Sequence, residues 1–169
     1  MEINALPKYD TSDNPTGCCP RFKPEVWDEQ ELSFKKKRFL KAKTRSLFHI
    51  PINIASVYPK TFTAIKEADA HSDDNFAVLS YDPSPWTGEH YFSVTKDVPG
   101  HEMVEITGDF LTKVFEGPYK NTPQWEKEIA VYVKGKGRQV RKTYFFYTTC
   151  PKCAKSYGKN YVVAIAEVQ

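Results

Sequence analysis

The chain has 169 residues, 40% of them apolar and 14% aromatic, and a formal net charge of only +3. Length and composition fit one globular domain with a single core and exclude a disordered segment. The charge gives no electrostatic case for nucleic acid or a membrane surface as partner, and no apolar run reaches bilayer-spanning length.

In chain order, residues 1 to about 20 are polar and carry Pro7, Pro15 and Pro20, which predicts an irregular arm. The start has no basic n-region followed by an apolar stretch, so a cytoplasmic location with reduced thiols is expected. The stretch "FKPEVWDEQELSFKKKRFLKAK" reads as short extended pieces, with Trp27, Leu32, Phe34, Phe39 and Leu40 available for burial. Its basic run, Lys35 to Arg45, predicts a solvated edge strand whose lysines oppose aggregation. Residues 1–45 are therefore read as an extension packed on a domain spanning 46–169.

From residue 46 the same order of elements is read twice. A strand comes first, then a helix with a Pro in its first turn (Pro59, then Pro123), where the missing N–H costs nothing. A strand ending in tyrosine follows ("FAVLSY" to Tyr81, "TYFFY" to Tyr147), then a polar loop and a closing strand ("YFSVTKDV", "YVVAIAEV"). Trp125, Ile129, Tyr132 and Val133 recur at helical spacing in the second helix. Between the copies, residues 101–117 alternate as a long strand with a bend expected at Gly108. Two strand-helix-strand-strand repeats predict an α+β fold, with the helices on one face of a mostly antiparallel sheet.

These residues, above all "FLTKVFEGPYKNTPQWEKEIAVYVKGKG…YFFYTTCP…NYVVAIAEV", resemble the second half of a GyrI-like small-molecule-binding domain, the bacterial effector-binding domain. The first copy resembles the other half. The resemblance covers about residues 46–168 and implies two pseudo-symmetric half-units with an aromatic-lined ligand cleft between them. It further implies either binding of a small organic molecule or, as in some members, hydrolysis of a reactive one. The carboxylate that many regulator members carry just before the strand-ending Tyr is replaced here by Tyr144, Phe145 and Phe146. No helix-turn-helix segment is visible, so a DNA-binding regulator is not expected.

A cleft that hydrolyses an electrophile needs flat apolar walls and a group that moves a proton. Tyr81, Trp86, Tyr119, Trp125 and Tyr147 are the candidate walls. Glu116, before the "GPY" turn, and Glu105, in "MVEITG", are the candidate acid–base residues, since a strand carboxylate turned into a cavity is raised by desolvation. Glu167 in "IAEV" is open to the same argument. His49 is read as a core or edge residue, and Glu89 and His90 as solvent-facing. No nucleophile elbow, phosphate loop, dinucleotide fingerprint or H-E-x-x-H occurs.

The loop "TTCPKCAKSYGKN" has the C-P-x-C form of a zinc knuckle. The remaining cysteines are the adjacent pair Cys18 and Cys19. Cys18, Cys19, Cys150 and Cys153 thus form a candidate zinc set, although adjacent side chains in an extended strand point opposite ways. Plain reduced thiols in a hairpin loop are the competing reading, and a redox dithiol lacks the helix start it normally has. A zinc-stapled, non-enzymatic interaction module is the alternative to a ligand-binding or hydrolytic domain.

Overall fold

The computed structural model describes residues 2–8 and 10–169. Helix α1 (Pro24–Trp27) leads into the long strand β1 (Glu31–Leu47), a tight turn and the two-residue strand β2 (Ile50–Pro51). Helix α2 (Ile54–Glu67), the hairpin β3 (Val78–Ser84) and β4 (Thr87–Ser93), and the long strand β5 (Glu102–Glu116) follow. A 3-10 turn at Tyr119–Asn121, helix α3 (Thr122–Gly135), strand β6 (Val140–Tyr147), helix α4 (Pro151–Tyr157) and strand β7 (Tyr161–Val168) complete the chain.

The strands pair in the order β1-β4-β3-β6-β7-β5, and β5 returns to pair with β1. All pairings between named strands are antiparallel, so the expected antiparallel α+β character holds. The sheet is not an open layer, however: it closes into a six-stranded barrel. Closure depends on the length of β1, whose residues 39–45 pair with β4 and whose residues 31–41 pair with β5. The thinnest seam is β3–β6, joined at Ser80 and Phe145.

The basic run is therefore no edge strand. Its residues 39–41 pair with both β4 and β5, and Lys37 and Lys41 lay their aliphatic stems along aromatic rings while Lys35, Lys36 and Lys43 stay exposed. Lys37 lies over the Phe34 and Phe39 rings, with its ammonium 5.7 and 5.9 Å from their centroids. The bend expected at Gly108 falls on the partner strand. The register slips between Phe34 and Lys37, where Lys36 adopts φ 50° opposite the Gly108 region. Strand β1 also runs through the 45/46 boundary, and Leu6, Phe22, Trp27, Leu32 and Phe34 from the first 45 residues are buried in the main core.

Strand alternation sorts the core into layers. Helices cannot fit inside a six-stranded barrel, so the faces under α2 and α3 are outside and the opposite faces line the interior. On β7, Val162, Ala164, Ala166 and Val168 pack in the layer that holds Trp125, Ile129 and Val133 of α3. Val163 and Ile165 point the other way, into the cluster with Phe34, Phe39, Leu79 and Phe110. Burial on both faces is why this strand reads as a continuous apolar run. Helix α2 departs from expectation at its start: it begins at Ile54, so Pro59 lies inside the helix, not in its first turn.

Candidate functional site

At one end of the barrel interior, four strands converge on a polar group. Register places Lys41 opposite Tyr91, and Tyr91 opposite Leu79; Glu89 stands opposite Tyr81 one layer further out. From the other half of the chain, β6 adds Lys142 and Tyr144 on the same face. The Lys142 ammonium lies 4.0 Å from the centroid of Tyr81, 4.9 Å from Tyr144 and 6.0 Å from Tyr91. Cation–π attraction of this kind contributes about 0.5–2 kcal/mol, more as the site is desolvated.

Beside this box, Lys41 Nζ is 3.0 Å from Glu89 Oε2, and the Tyr91 hydroxyl donates to Glu89 Oε1 at 3.2 Å. Burial pushes the Glu89 carboxyl up, but the Lys41 ammonium, the Tyr91 hydroxyl and the Lys142 charge together outweigh it and the net shift is downward. The same pair holds the Lys41 ammonium above its ordinary value. Burial raises Tyr144, whose ring also closes against Tyr91 edge-on. Glu167 stands at this end too: a Cβ added to Gly108 would sit 3.3 Å from its Oε1. The arrangement offers flat aromatic faces, a cation among them, and an ionised carboxylate at the rim.

Glu89 and His90 therefore do not face solvent. Glu89 is half-buried in this group, while His90 alternates to the outer face and is buried under α2. The Thr44 hydroxyl lies 2.8 Å from His90 Nε2; the Ser80 and Tyr58 hydroxyls lie 2.8 and 2.9 Å from Nδ1. Burial pushes His90 down to about 4, so the ring is neutral at pH 7. Ser80 and His90 are both below a tenth exposed, and their contacts tie α2 to β1, β3 and β4.

The five aromatic residues read as cleft walls are not brought together. Tyr81 belongs to the interior group. Tyr147 alternates to the outer face and meets Tyr119 edge-on at 5.3 Å, and the Tyr119 hydroxyl donates to the Thr149 carbonyl. Trp125 is core, stacked on Phe115 beneath α3. Trp86 is exposed at the β3–β4 tip against Phe48. Glu105 and Glu116 are exposed near opposite ends of β5 and point into no cavity with the tyrosines. His49 sits exposed in the β1–β2 turn at φ 67°, with Nδ1 3.3 Å from Asp82. Tyr91 and Tyr144 were two of many aromatics that could face a cleft, while Lys142 and Glu89 were legible only as alternating positions; nothing local marks the inner face.

The four cysteines do come together. The sulfurs of Cys18, Cys19, Cys150 and Cys153 all lie within 4.8 Å of one another. Residues 15–19 are a turn, with Gly17 at φ 70°, so the adjacent side chains converge and their sulfurs are 3.8 Å apart. The second pair opens a helix, not a bare hairpin loop. Cys150 is the N-cap and accepts from the Cys153 amide; Pro151 stands in the first turn, and Gly158 ends the helix at φ 73°. These start and stop signals were present in "CPKCAKSYG". The donor set, four thiols in tetrahedral reach, suits a zinc ion.

A family described as bacterial hydrolase matches residues 9–168. No curated protein sequence matches the chain. Among solved structures, an uncharacterized conserved protein from Listeria innocua aligns with a TM-score of 0.59 at 13% identity, covering 84% of this chain and 92% of its own. A hydrolase from Listeria innocua aligns at 0.58 and 14%, with the same coverage. SAV2435 bound to tetraphenylphosphonium aligns at 0.50 and 12%, covering 84% and 94%. At these identities the likeness is one of fold. Among the described residues no helix is long and apolar enough to cross a membrane.

Proposed function

The chain belongs to the bacterial hydrolase family, and from that premise we propose that it binds a small aromatic or lipophilic molecule at the tyrosine-lined end of its barrel and hydrolyses it. The observation that carries this reading is the Lys142 ammonium held over Tyr81, Tyr91 and Tyr144 beside an ionised Glu89. Three π faces favour a planar guest, and a cationic guest would take the place that the Lys142 ammonium holds over them. A protein of similar fold is bound to tetraphenylphosphonium, a lipophilic cation, which agrees with such a guest.

A GyrI-like reading, with a cleft between two half-units, is supported by the origin of the site's residues. We read β1-α2-β3-β4 and β5-α3-β6-β7 as equivalent half-units, because β1–β4 and β3–β4 in one correspond to β5–β7 and β6–β7 in the other. Tyr81, Tyr91 and Glu89 come from the first half and Lys142 and Tyr144 from the second. In this reading the tyrosines hold the guest. Lys142, among rings that lower the local dielectric, stabilises the oxyanion that forms as water adds to an electrophilic carbon. Glu89, held ionised beside Lys41, orients that water and accepts its proton; as the oxyanion collapses the C–O bond to the leaving group breaks, and the proton passes from Glu89 to the departing oxygen. Glu105 and Glu116 give up the acid–base role because both are exposed.

The test combines binding of tetraphenylphosphonium, followed by calorimetry, with turnover of a panel of aryl esters and strained lactones. Lys142→Met empties the box of its resident cation and should tighten tetraphenylphosphonium binding about tenfold, the equivalent of one good cation–π contact, while turnover falls. Glu89→Gln should keep binding and lose turnover. Wild-type binding left unchanged by Lys142→Met, or full turnover by Glu89→Gln, would refute the assignment.

A further inference from the structure

We propose that Cys18, Cys19, Cys150 and Cys153 hold one zinc ion, a structural site that clasps the N-terminal arm onto the first turn of α4. Tetrahedral thiolate coordination with bonds of about 2.3 Å sets sulfur–sulfur distances of about 3.8 Å. Cys18 and Cys19 are already 3.8 Å apart, and all four sulfurs fall within 4.8 Å of one another. The closing movement is therefore of order 1 Å, within reach of small χ1 adjustments.

The two pairs come from opposite ends of the chain, so packing of a local loop does not explain their meeting. A redox dithiol would use Cys150 and Cys153 and leave the arm pair without a purpose. The surroundings fit a metal better. The Cys153 amide points at the Cys150 sulfur, as backbone donors do in a zinc knuckle. Thr16 Oγ1 lies 3.3 Å from the Cys153 sulfur and 3.0 Å from the Tyr157 hydroxyl, while Tyr157 donates to the Cys19 carbonyl. These contacts orient ligands from both segments, the work that outer-shell groups do around a metal. Lys152 and Lys155 on α4 and Arg21, 5.2 Å over the Tyr157 ring, offset the net negative charge of a four-thiolate zinc centre. Each thiol that ligates gives its proton to solvent, so loading is favoured as pH rises.

The clasp has a consequence for the barrel. Phe22, Leu6 and Trp27 of the arm are buried in the main core. A metal at Cys18 and Cys19 fixes the chain just before Phe22 and so holds this cover in place.

The experiment is metal analysis of full-length, untagged protein purified without chelator, with thiols counted in the native protein and again after denaturation in excess chelator, and cobalt substitution as a coordination probe. About one zinc per chain, protected thiols, and a cobalt spectrum of tetrahedral four-thiolate type are expected. Cys18→Ser and Cys150→Ser should each cut occupancy about tenfold. Protein lacking zinc and showing four reactive thiols would overturn the proposal. So would a Cys150–Cys153 disulfide found by mass spectrometry under non-reducing conditions, or zinc that both serine variants retain at wild-type occupancy. If the variants fail to fold, the wild-type metal count and cobalt spectrum still decide it.

Discussion

Acidification should destabilise this protein through one histidine. His90 is buried between three hydroxyls, Thr44 of β1, Ser80 of β3 and Tyr58 of α2, with Glu89 as the charged neighbour. Burial lowers it from 6.5 to about 4, although Glu89 pulls weakly the other way. A base depressed in the folded state binds fewer protons folded than unfolded between those two values. Its contribution is therefore complete above about pH 6.5 and is lost as pH falls toward 4. Integrating between pH 7.5 and 5 gives a loss of about 2 kcal/mol, a large part of the stability of a domain this size. Urea denaturation of wild type and His90→Gln at both pH values measures it, because the amide can answer a hydroxyl on each side but cannot titrate. Carboxylates affect both proteins alike and cancel in the comparison. Wild type should lose about 2 kcal/mol more than the variant, and the His90 ring should stay neutral by NMR at pH 5. Equal losses, or a ring that titrates near 6.5, would refute the reasoning.

Three further outcomes follow from packing. Gly88→Ala would put a Cβ 2.6 Å from Thr44 Oγ1 and 3.1 Å from His90 Nε2, so it should cost about 1–3 kcal/mol in urea unfolding. Thr112→Val, at a fully buried position, removes a hydroxyl that accepts from the Gln30 amide and donates to the Trp27 carbonyl. It should cost about 1–3 kcal/mol and speed proteolysis of the arm before that of the barrel. Trp125→Ala should cost about 3–5 kcal/mol and leave tetraphenylphosphonium binding unchanged, because the ring is core under α3 and not a cleft wall.

What the sequence determined by itself was local. Period-two alternation, tyrosine-ended strands and Pro and Gly punctuation placed α3, the β3–β4 hairpin, β5 and β7, since backbone preference and one-sided burial act within a few residues. The C-P-x-C spacing and the adjacent pair were legible as four possible ligands. Their meeting was not, because it depends on a turn at Gly17 and on an arm crossing to α4 from the far end of the chain. Barrel closure was equally hidden. Lysines in β1 read as a solvent edge, and only the two strand partners, β4 and β5, show that the stems of Lys37 and Lys41 cover aromatic rings. Alternation also left open which face of each strand lies inside, so Tyr81 and Tyr147 looked alike although the fold turns them to opposite sides. The tertiary structure alone put Lys142, Glu89 and three tyrosines together, through register between strands that lie far apart in the chain.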